Sequence, residues 1–329
     1  MSTRRPRVLV IGRQAGLPPG GLPEQRTGAE YVMADDMETV RAHLAECDVV
    51  FHYNHPRDAL RANWELCGRL RWVHIGGVGV DWALFPELVA SEVVLTNSRG
   101  IFDTTLPEYL LTLMLALAKD LPATLRAQSA HEWQQRLLQP LAGDRAVIVG
   151  AGTIGRAAAR LLRALGLEVT LVGRRARPDE PDPADEGRIR GIGDLPKLLP
   201  GADWLILLAP LTPETRGLIG AAELALLPPG ARVVNLGRGP LLVEGALIEA
   251  LLSSRLAGAA LDVFEREPLD PASPLWDMPN VIVSPHIGGD VVGTPDAFGR
   301  SFLGNLERFI AGQPLQNVVD KHAGYVRDG

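Results

Sequence analysis

An arginine, a glutamate and a histidine are the residues best placed to do chemistry, and each stands where a short apolar run ends. Arg238 follows Val233-Val234-Asn235-Leu236-Gly237 and precedes Gly239. Glu267 lies in Leu261-Asp262-Val263-Phe264-Glu265-Arg266-Glu267-Pro268-Leu269, and His286 in Val283-Ser284-Pro285-His286-Ile287-Gly288-Gly289. Singly, each has an ordinary reading as a surface arginine, a solvated glutamate, or a capping or core histidine, because structural ion pairs use the same residue types. All three at strand ends, in a chain with a nucleotide-type glycine turn, make a sharper pattern. That turn is Ala146-Val147-Ile148-Val149-Gly150-Ala151-Gly152-Thr153-Ile154-Gly155. Four apolar, mostly β-branched residues read as a buried parallel strand that runs into G-x-G-x-x-G. Arg156 to Leu165 then reads as a helix, the order a dinucleotide site needs. Gly150 allows the tight turn, Gly152 lets the backbone approach a pyrophosphate, and Gly155 lets helix and strand pack closely. The N–H groups and positive dipole end of the helix face the phosphates.

The next strand bears on which dinucleotide. Val169-Thr170-Leu171-Val172 leads into Gly173-Arg174-Arg175-Ala176-Arg177, and the first acids, Asp179 and Glu180, come only after Pro178. A carboxylate at the strand end would accept from the adenosine ribose. Glycine with adjacent arginines removes that charge and supplies guanidinium donors for a 2′-phosphate. NADP(H) is therefore preferred, with NAD(H) possible. A second glycine cluster, Gly76-Gly77-Val78-Gly79-Val80-Asp81, follows an earlier strand. Its backbone N–H groups suit a carboxylate; a plain tight turn into a helix at Asp81 is the other reading, and the residues alone leave both open.

These residues need elements to hold them. The chain has 329 residues, comfortable for two domains, with 46% hydrophobic and 22% charged content as in an ordinary globular protein. A net charge of -6 and a pI near 5.7 exclude a nucleic-acid surface. Arg4, Arg5 and Arg7 precede an apolar run too short for a signal peptide, and the run Leu110–Ala118 is too short for a membrane span. Cys47 and Cys67 are too few and too isolated for a disulfide framework or a zinc site, so no metal is expected and the expected compartment is the cytoplasm.

Strands are expected at Arg7–Gly12, Asp48–Tyr53, Leu70–Ile75 and Val93–Asn97, with helices over Met37–Glu46 and Arg57–Leu66. Gly16 to Pro23 reads as a loop. Thr104–Lys119 reads as a buried helix capped by Thr104 or Thr105, and Leu121–Gly143 as a connecting arm. Strands at Ala146–Gly150, Glu168–Val172, Asp203–Ala209, Arg232–Leu236, Ala259–Val263 and Val281–Ser284 alternate with helices, notably Glu244–Ser253. This is an α/β chain with two doubly wound parallel sheets. Arg174–Arg190 has no apolar period and reads as an exposed loop, and Thr294–Ala311 as a helix returning to the first domain, followed by a short tail at Leu315–Val319.

I-G-G-V-G-V-D at 75–81, the turn at 150–155 and A-P-L-T-P-E-T at 209–215 are followed by N-L-G-R-G at 235–239. L-D-V-F-E-R-E-P-L at 261–269 and S-P-H-I-G-G at 284–289 complete the series. In this order, over nearly the whole chain, they resemble the NAD(P)-dependent D-2-hydroxyacid dehydrogenase family. The resemblance implies two Rossmann-like domains, with residues 1–100 and 290–329 as the flavodoxin-like substrate domain and 101–289 as the dinucleotide-binding domain. It implies reduction of a small 2-oxo acid to the D-2-hydroxy acid, and a homodimer joined through the 104–143 region. Arg238 would hold the carboxylate and polarise the carbonyl. The N–H groups of Gly77, Val78 and Gly79 would take the other carboxylate oxygen. His286 would give or take the carbonyl proton, and Glu267 would favour and orient its imidazolium. The cofactor contacts extend to Thr153, Ile154, Ala209, Pro210, Thr215, Leu236, Gly237, Asp262, His286 and Gly288, with Asn235 beside Asp262.

Gly173 departs from the family's usual strand-end acid, and no C-terminal regulatory domain like that of many 3-phosphoglycerate dehydrogenases follows. Arg174-Arg175 and P-L-W at 274–276 are similar to features of glyoxylate/hydroxypyruvate reductases. Alternatives are a nucleotide-sensing protein similar to the corepressors of this fold, or an enzyme acting on a non-carbonyl substrate such as phosphite. Asn54, His55 and Val78 are the expected neighbours of the substrate's side chain.

Overall fold

The structure is a computed structural model that describes residues 5–12, 28–53, 56–182 and 185–327; the Gly16–Pro23 loop, Arg4, Asn54 and His55 lie outside the described residues. The chain divides into two units, residues 1–101 with 291–329, and residues 102–290.

The first unit is built on a five-stranded parallel sheet of β1 (Arg7–Ile11), β2 (Glu30–Ala34), β3 (Val49–His52), β4 (Trp72–Ile75) and β5 (Val94–Asn97), in the order β2-β1-β3-β4-β5. Every residue of β3 and β4 is buried, as expected for parallel strands covered on both faces. The sequence reading did not anticipate β2. It is a five-residue edge strand, Glu-Tyr-Val-Met-Ala, with one buried residue, too short and too lightly buried to show an alternation. The helix expected over Arg57–Leu66 is a correction as well. A helix at Ala59–Ala62 gives way to a 3-10 turn at Trp64–Leu66, and Asn63 between them donates its side-chain N–H to the Ala59 carbonyl at 2.9 Å. The Thr294–Ile310 helix does return to this unit. Phe302 stacks on Phe51 at 4.6 Å and on Trp72 at 5.3 Å, and the Val319 amide donates to the Leu95 carbonyl.

The second unit holds β6 (Arg145–Val149), β7 (Glu168–Gly173), β8 (Arg177–Asp182), β9 (Asp185–Gly191), β10 (Trp204–Leu207), β11 (Ala231–Asn235), β12 (Leu256–Leu261) and β13 (Val281–Val283). Their order is β13-β12-β11-β10-β6-β7-β9-β8, with every pairing parallel except β8 with β9. Successive side chains feed opposite faces: Leu205 and Leu207 enter one core, Trp204 and Ile206 the other. From β6 the chain moves outward through β7, then returns to β10 on the opposite side of β6. That reversal opens a crevice beyond the carboxyl ends of β6 and β10, where open α/β sheets take their ligands.

Two expectations change here. Arg174–Arg190 is not a loop but carries β8 and most of β9, with β9 joined to β7 through Val172 opposite Arg190 and Gly173 opposite Gly191. Backbone pairing at a sheet edge needs no apolar alternation, so periodicity could not find it. The helix at Thr105–Ala118 has Thr104 at its N-cap position, but no side-chain cap bond forms. The arm resolves into a helix at Leu121–Ala130 followed by irregular chain over 132–140. Among the described residues no helix is long and apolar enough to cross a membrane.

Candidate active site

The glycine turn ends β6 with each glycine under a different constraint. Gly150 has φ +129°, and a Cβ there would lie 2.6 Å from the Leu208 carbonyl carbon, so β6 and the residue after β10 touch through backbone. A Cβ on Gly155 would fall 1.8 Å from the Gly150 oxygen, which is impossible without moving helix from strand. Gly152 has nothing within 4 Å. The Arg156 amide is the first to bond back into the helix, to the Gly152 carbonyl at 2.9 Å, and no side chain caps the helix start. Open space at Gly152 above an uncapped helix N-terminus fits a pyrophosphate. The Thr153 hydroxyl donates to Asp103 Oδ1 at 2.7 Å, a partner that sequence reasoning missed.

The rim of this crevice comes from β7 and the loop after β10. A Cβ on Gly173 would meet Ile189 of β9 at 3.2 Å, so the end of β7 is closely packed, while Arg174 and Arg175 are exposed. Across from them, the Glu214 carboxyl is held below its ordinary range, first by the Thr212 hydroxyl and also by the positive charge of Arg174. Thr215 accepts from the Thr212 amide and donates to the Pro210 carbonyl, both at 2.8 Å, and so braces the loop that carries Ala209 and Pro210.

Arg238 sits on a short loop after β11 that is stitched by Asn235. The Asn235 side chain donates to the Arg238 carbonyl at 3.0 Å and accepts from the Gly237 amide at 3.1 Å. One guanidinium N–H of Arg238 donates to the Gly237 carbonyl at 2.8 Å. A Cβ on Gly239 would lie 1.8 Å from the Phe264 backbone, so this loop is pressed against the segment leading to Glu267.

That segment delivers the Glu267 carboxylate to His286. Glu267 Oε2 accepts from His286 Nδ1 at 2.7 Å while Oε1 accepts from the Phe264 amide at 3.1 Å. Burial raises the Glu267 carboxyl, but the hydrogen bond and charge of His286, the Phe264 amide and the charge of Arg238 outweigh it and leave it below the ordinary value. A carboxylate only accepts, so Nδ1 carries the hydrogen and Nε2 is left to exchange a proton elsewhere. With side chains 41% and 32% exposed, the pair is screened by solvent and adds at most about 1 kcal/mol to folding. What it gives is orientation.

The backbone under His286 is held from below. His286 has φ +58°, a left-handed conformation costly for a non-glycine residue. Buried Asp262 accepts from the amides of Ile287 at 2.9 Å and Gly288 at 2.8 Å, and from the Ser284 hydroxyl, which in turn bonds Tyr109 Oη at 2.6 Å. A Cβ on Gly288 would strike Tyr109 at 2.8 Å, and one on Gly289 would strike Phe102 at 2.8 Å. Asp262 and Gly288, expected at the cofactor, form the scaffold of the histidine turn. Ser284 stood in the S-P-H-I-G-G run with no role assigned to it, and Tyr109 lies in a helix that reads as apolar nearly all round. Asp290 was missed too: burial pushes its carboxyl up, and the nearby His286 charge acts against that rise.

Gly77, Val78 and Gly79 follow β4 in the first unit, half-buried, and Asp81–Ala83 forms a 3-10 turn beyond them. A cavity of about 260 Å³ in the second unit, lined among others by Leu117, Asp120, Arg232 and Asn280, lies at the opposite, amino ends of β11 and β13 and touches none of these groups.

Residues 111–288 match the family model described as D-isomer specific 2-hydroxyacid dehydrogenase, NAD binding domain. The chain is 35% identical over 266 residues to a glyoxylate/hydroxypyruvate reductase A of Serratia proteamaculans, covering 78% of this chain and 82% of the relative. It is 32% identical over 268 residues to a glyoxylate reductase of Thermococcus gammatolerans, covering 79% of each. Among solved structures, an NADPH-dependent glyoxylate/hydroxypyruvate reductase from Sinorhizobium meliloti, in complex with NADP and sulfate, is similar at TM-score 0.81 and 31% identity, over 98% of this chain and 100% of that one.

Proposed function

Because this chain belongs to the D-isomer-specific 2-hydroxyacid dehydrogenase family, we propose that it reduces a small 2-oxo acid to the D-2-hydroxy acid with NADPH. The observation that carries this reading is the Glu267–His286 pair, at 2.7 Å, with the charge of Arg238 within reach of the same carboxylate. When bound, the reduced nicotinamide supplies the hydride. Arg238 binds the substrate carboxylate and draws electron density from the carbonyl, using two N–H groups in one plane. His286 Nε2 hands a proton to the carbonyl oxygen and recovers it in the reverse direction. Glu267 keeps the ring turned and its charge balanced. The amides of Val78 and Gly79 take a second carboxylate oxygen; that of Gly77, expected with them, is taken instead by the Ile75 carbonyl at 2.9 Å.

The preference for NADPH rests on Arg174 and Arg175 next to Gly173, where a carboxylate would repel a 2′-phosphate. The similar Sinorhizobium reductase and a 32% identical Xanthobacter autotrophicus dehydrogenase, at TM-score 0.79, were solved with NADP and NADPH. The test is oxidation of NADPH and NADH followed by absorbance against glyoxylate, hydroxypyruvate, pyruvate and phenylpyruvate. We expect turnover, with NADPH ahead. In Arg174→Ala the KM for NADPH should rise about tenfold while that for NADH holds. Equal efficiency with NADH would remove the cofactor assignment. Tight nucleotide binding without turnover of any acid would instead favour a sensor.

The same reading includes a homodimer. The 121–143 arm leaves Trp133 97% and Leu137 102% exposed, apolar surface that a second copy would cover. Sedimentation equilibrium should return twice the 35.4 kDa chain mass; a monomer at micromolar concentration would end that part of the proposal.

A further inference from the structure

The glycine loop after β4 does not stand alone. Two of its carbonyls, and that of Ile75 at the end of β4, are tied back by Asn97, the last residue of β5, and Ser98 after it. The Gly77 carbonyl accepts from the Ser98 amide at 2.9 Å, and the Val78 carbonyl from the Asn97 side-chain N–H at 2.6 Å. The Ile75 carbonyl accepts from the Ser98 hydroxyl at 3.1 Å. In a trans peptide unit the C=O of one residue and the N–H of the next point in opposite directions. Pulling the Gly77 and Val78 carbonyls toward β5 therefore turns the Val78 and Gly79 N–H groups away from it. Among the described residues neither amide has an intrachain acceptor. Two successive N–H groups facing one way form an anion-binding concavity.

The direction of the bonds beneath Ser98 is fixed by chemistry. Trp72 Nε1 can only donate, and does so to Thr96 Oγ1 at 2.8 Å. The Ile75 carbonyl can only accept. Between these ends, the Thr96 hydroxyl donates to His74 Nδ1 at 2.8 Å, and His74 Nε2 donates to Ser98 Oγ at 3.1 Å. This leaves the one Ser98 hydroxyl hydrogen for Ile75. The ring is neutral in this arrangement, and full burial pushes His74 down to about 3, so the order holds across the ordinary pH range. Asn97 is fixed likewise: its Oδ1 accepts from the Arg99 amide at 3.2 Å, which commits Nδ2 to Val78.

We propose that Asn97 and Ser98, supported by His74, are positioning residues that aim the Val78 and Gly79 amides at the substrate carboxylate. This deepens the function proposed above and rests on it. Asn97→Asp is close in shape, retains the bond from Arg99, and sets an anion against the Val78 carbonyl. Ser98→Ala removes the hydroxyl alone.

The experiment measures KM and kcat for glyoxylate, inhibition by oxalate (a carboxylate probe that cannot be reduced), NADPH affinity by fluorescence, and thermal unfolding. Expected in Asn97→Asp is an increase of about tenfold in both the glyoxylate KM and the oxalate inhibition constant, from the loss of one part-buried hydrogen bond. The kcat and NADPH affinity should stay within about threefold, because no group of the second unit has changed. Ser98→Ala should act in the same direction and less strongly. A folded Asn97→Asp protein that binds oxalate as tightly as the wild type overturns the positioning role and leaves the function standing. So does a fall in kcat with unchanged KM. A wild-type protein that neither reduces a 2-oxo acid nor binds oxalate beside the cofactor overturns both. If Asn97→Asp does not fold, Ser98→Ala decides alone.

Discussion

Replacing His286 by Asn should lower kcat for 2-oxo acid reduction by about a hundredfold to ten-thousandfold while leaving NADPH affinity nearly unchanged. The choice of Asn follows from the backbone. His286 has φ +58°, and among side-chain-bearing residues Asn is one of the few that tolerates the left-handed region. Ala or Val would strain the turn and confuse lost chemistry with lost geometry. With the backbone kept, Asp262 still holds the Ile287 and Gly288 amides, and only the proton-exchanging ring is removed. Stopped-flow measurement of NADPH oxidation in a single turnover checks this directly. Undiminished hydride transfer would take His286 out of the mechanism.

The Glu267→Gln variant separates orientation from charge. The Glu267 carboxyl lies below its ordinary value, so the stability it contributes is complete above that ordinary value and is lost as pH falls through the depressed one. In the Gln variant this acid-side loss should vanish. The amide oxygen can still accept from Nδ1, so a fall in kcat at unchanged NADPH affinity would measure the loss of the charge alone.

Gly155→Ala should produce the largest structural effect of any single methyl group in the nucleotide turn. The new Cβ would stand 1.8 Å from the Gly150 oxygen and 2.9 Å from its carbon, and backbone cannot rotate aside as a side chain can. The helix must retreat from β6, at a cost of about 3 kcal/mol or more and a fall in Tm of about 10 °C. Nucleotide binding should fail with it, because the helix N-terminus moves. Gly152→Ala is the paired control. Nothing lies within 4 Å of its Cβ, so Tm should hold while NADPH affinity falls. If Gly152→Ala lowered Tm as much as Gly155→Ala, or left NADPH affinity untouched, the division of labour within the turn would be wrong.

What could be read from the sequence follows from the range of the forces involved. Apolar runs bounded by glycine specify buried parallel strands locally, so β1, β3 to β7 and β10 to β13 were legible, as was the returning Thr294–Ile310 helix. The edge strand β2, and β9 with the edge strand β8, were not, because their stability comes from pairing with a neighbour and leaves no period in the chain. The catalytic candidates could be named from residue type and position at strand ends. Their supports could not. Ser284 lies 22 residues from Asp262, Asp103 lies 50 from Thr153 and Tyr109 lies 175 from Ser284, and polar residues in a helix or at a strand end have many possible partners.

By itself the sequence determined the fold class and the glycine turn, since short-range packing and turn geometry demand those residue types at those spacings, and it named Arg238, Glu267 and His286 as candidates from residue type at strand ends. Only the tertiary structure decided that Glu267 meets the Nδ1 side of His286, that Asp262 holds the turn beneath it, and that Asn97 and Ser98 tie back the glycine loop. Hydrogen bonds act over about 3 Å, and what comes within that distance is settled by how strands far apart in the chain lie side by side.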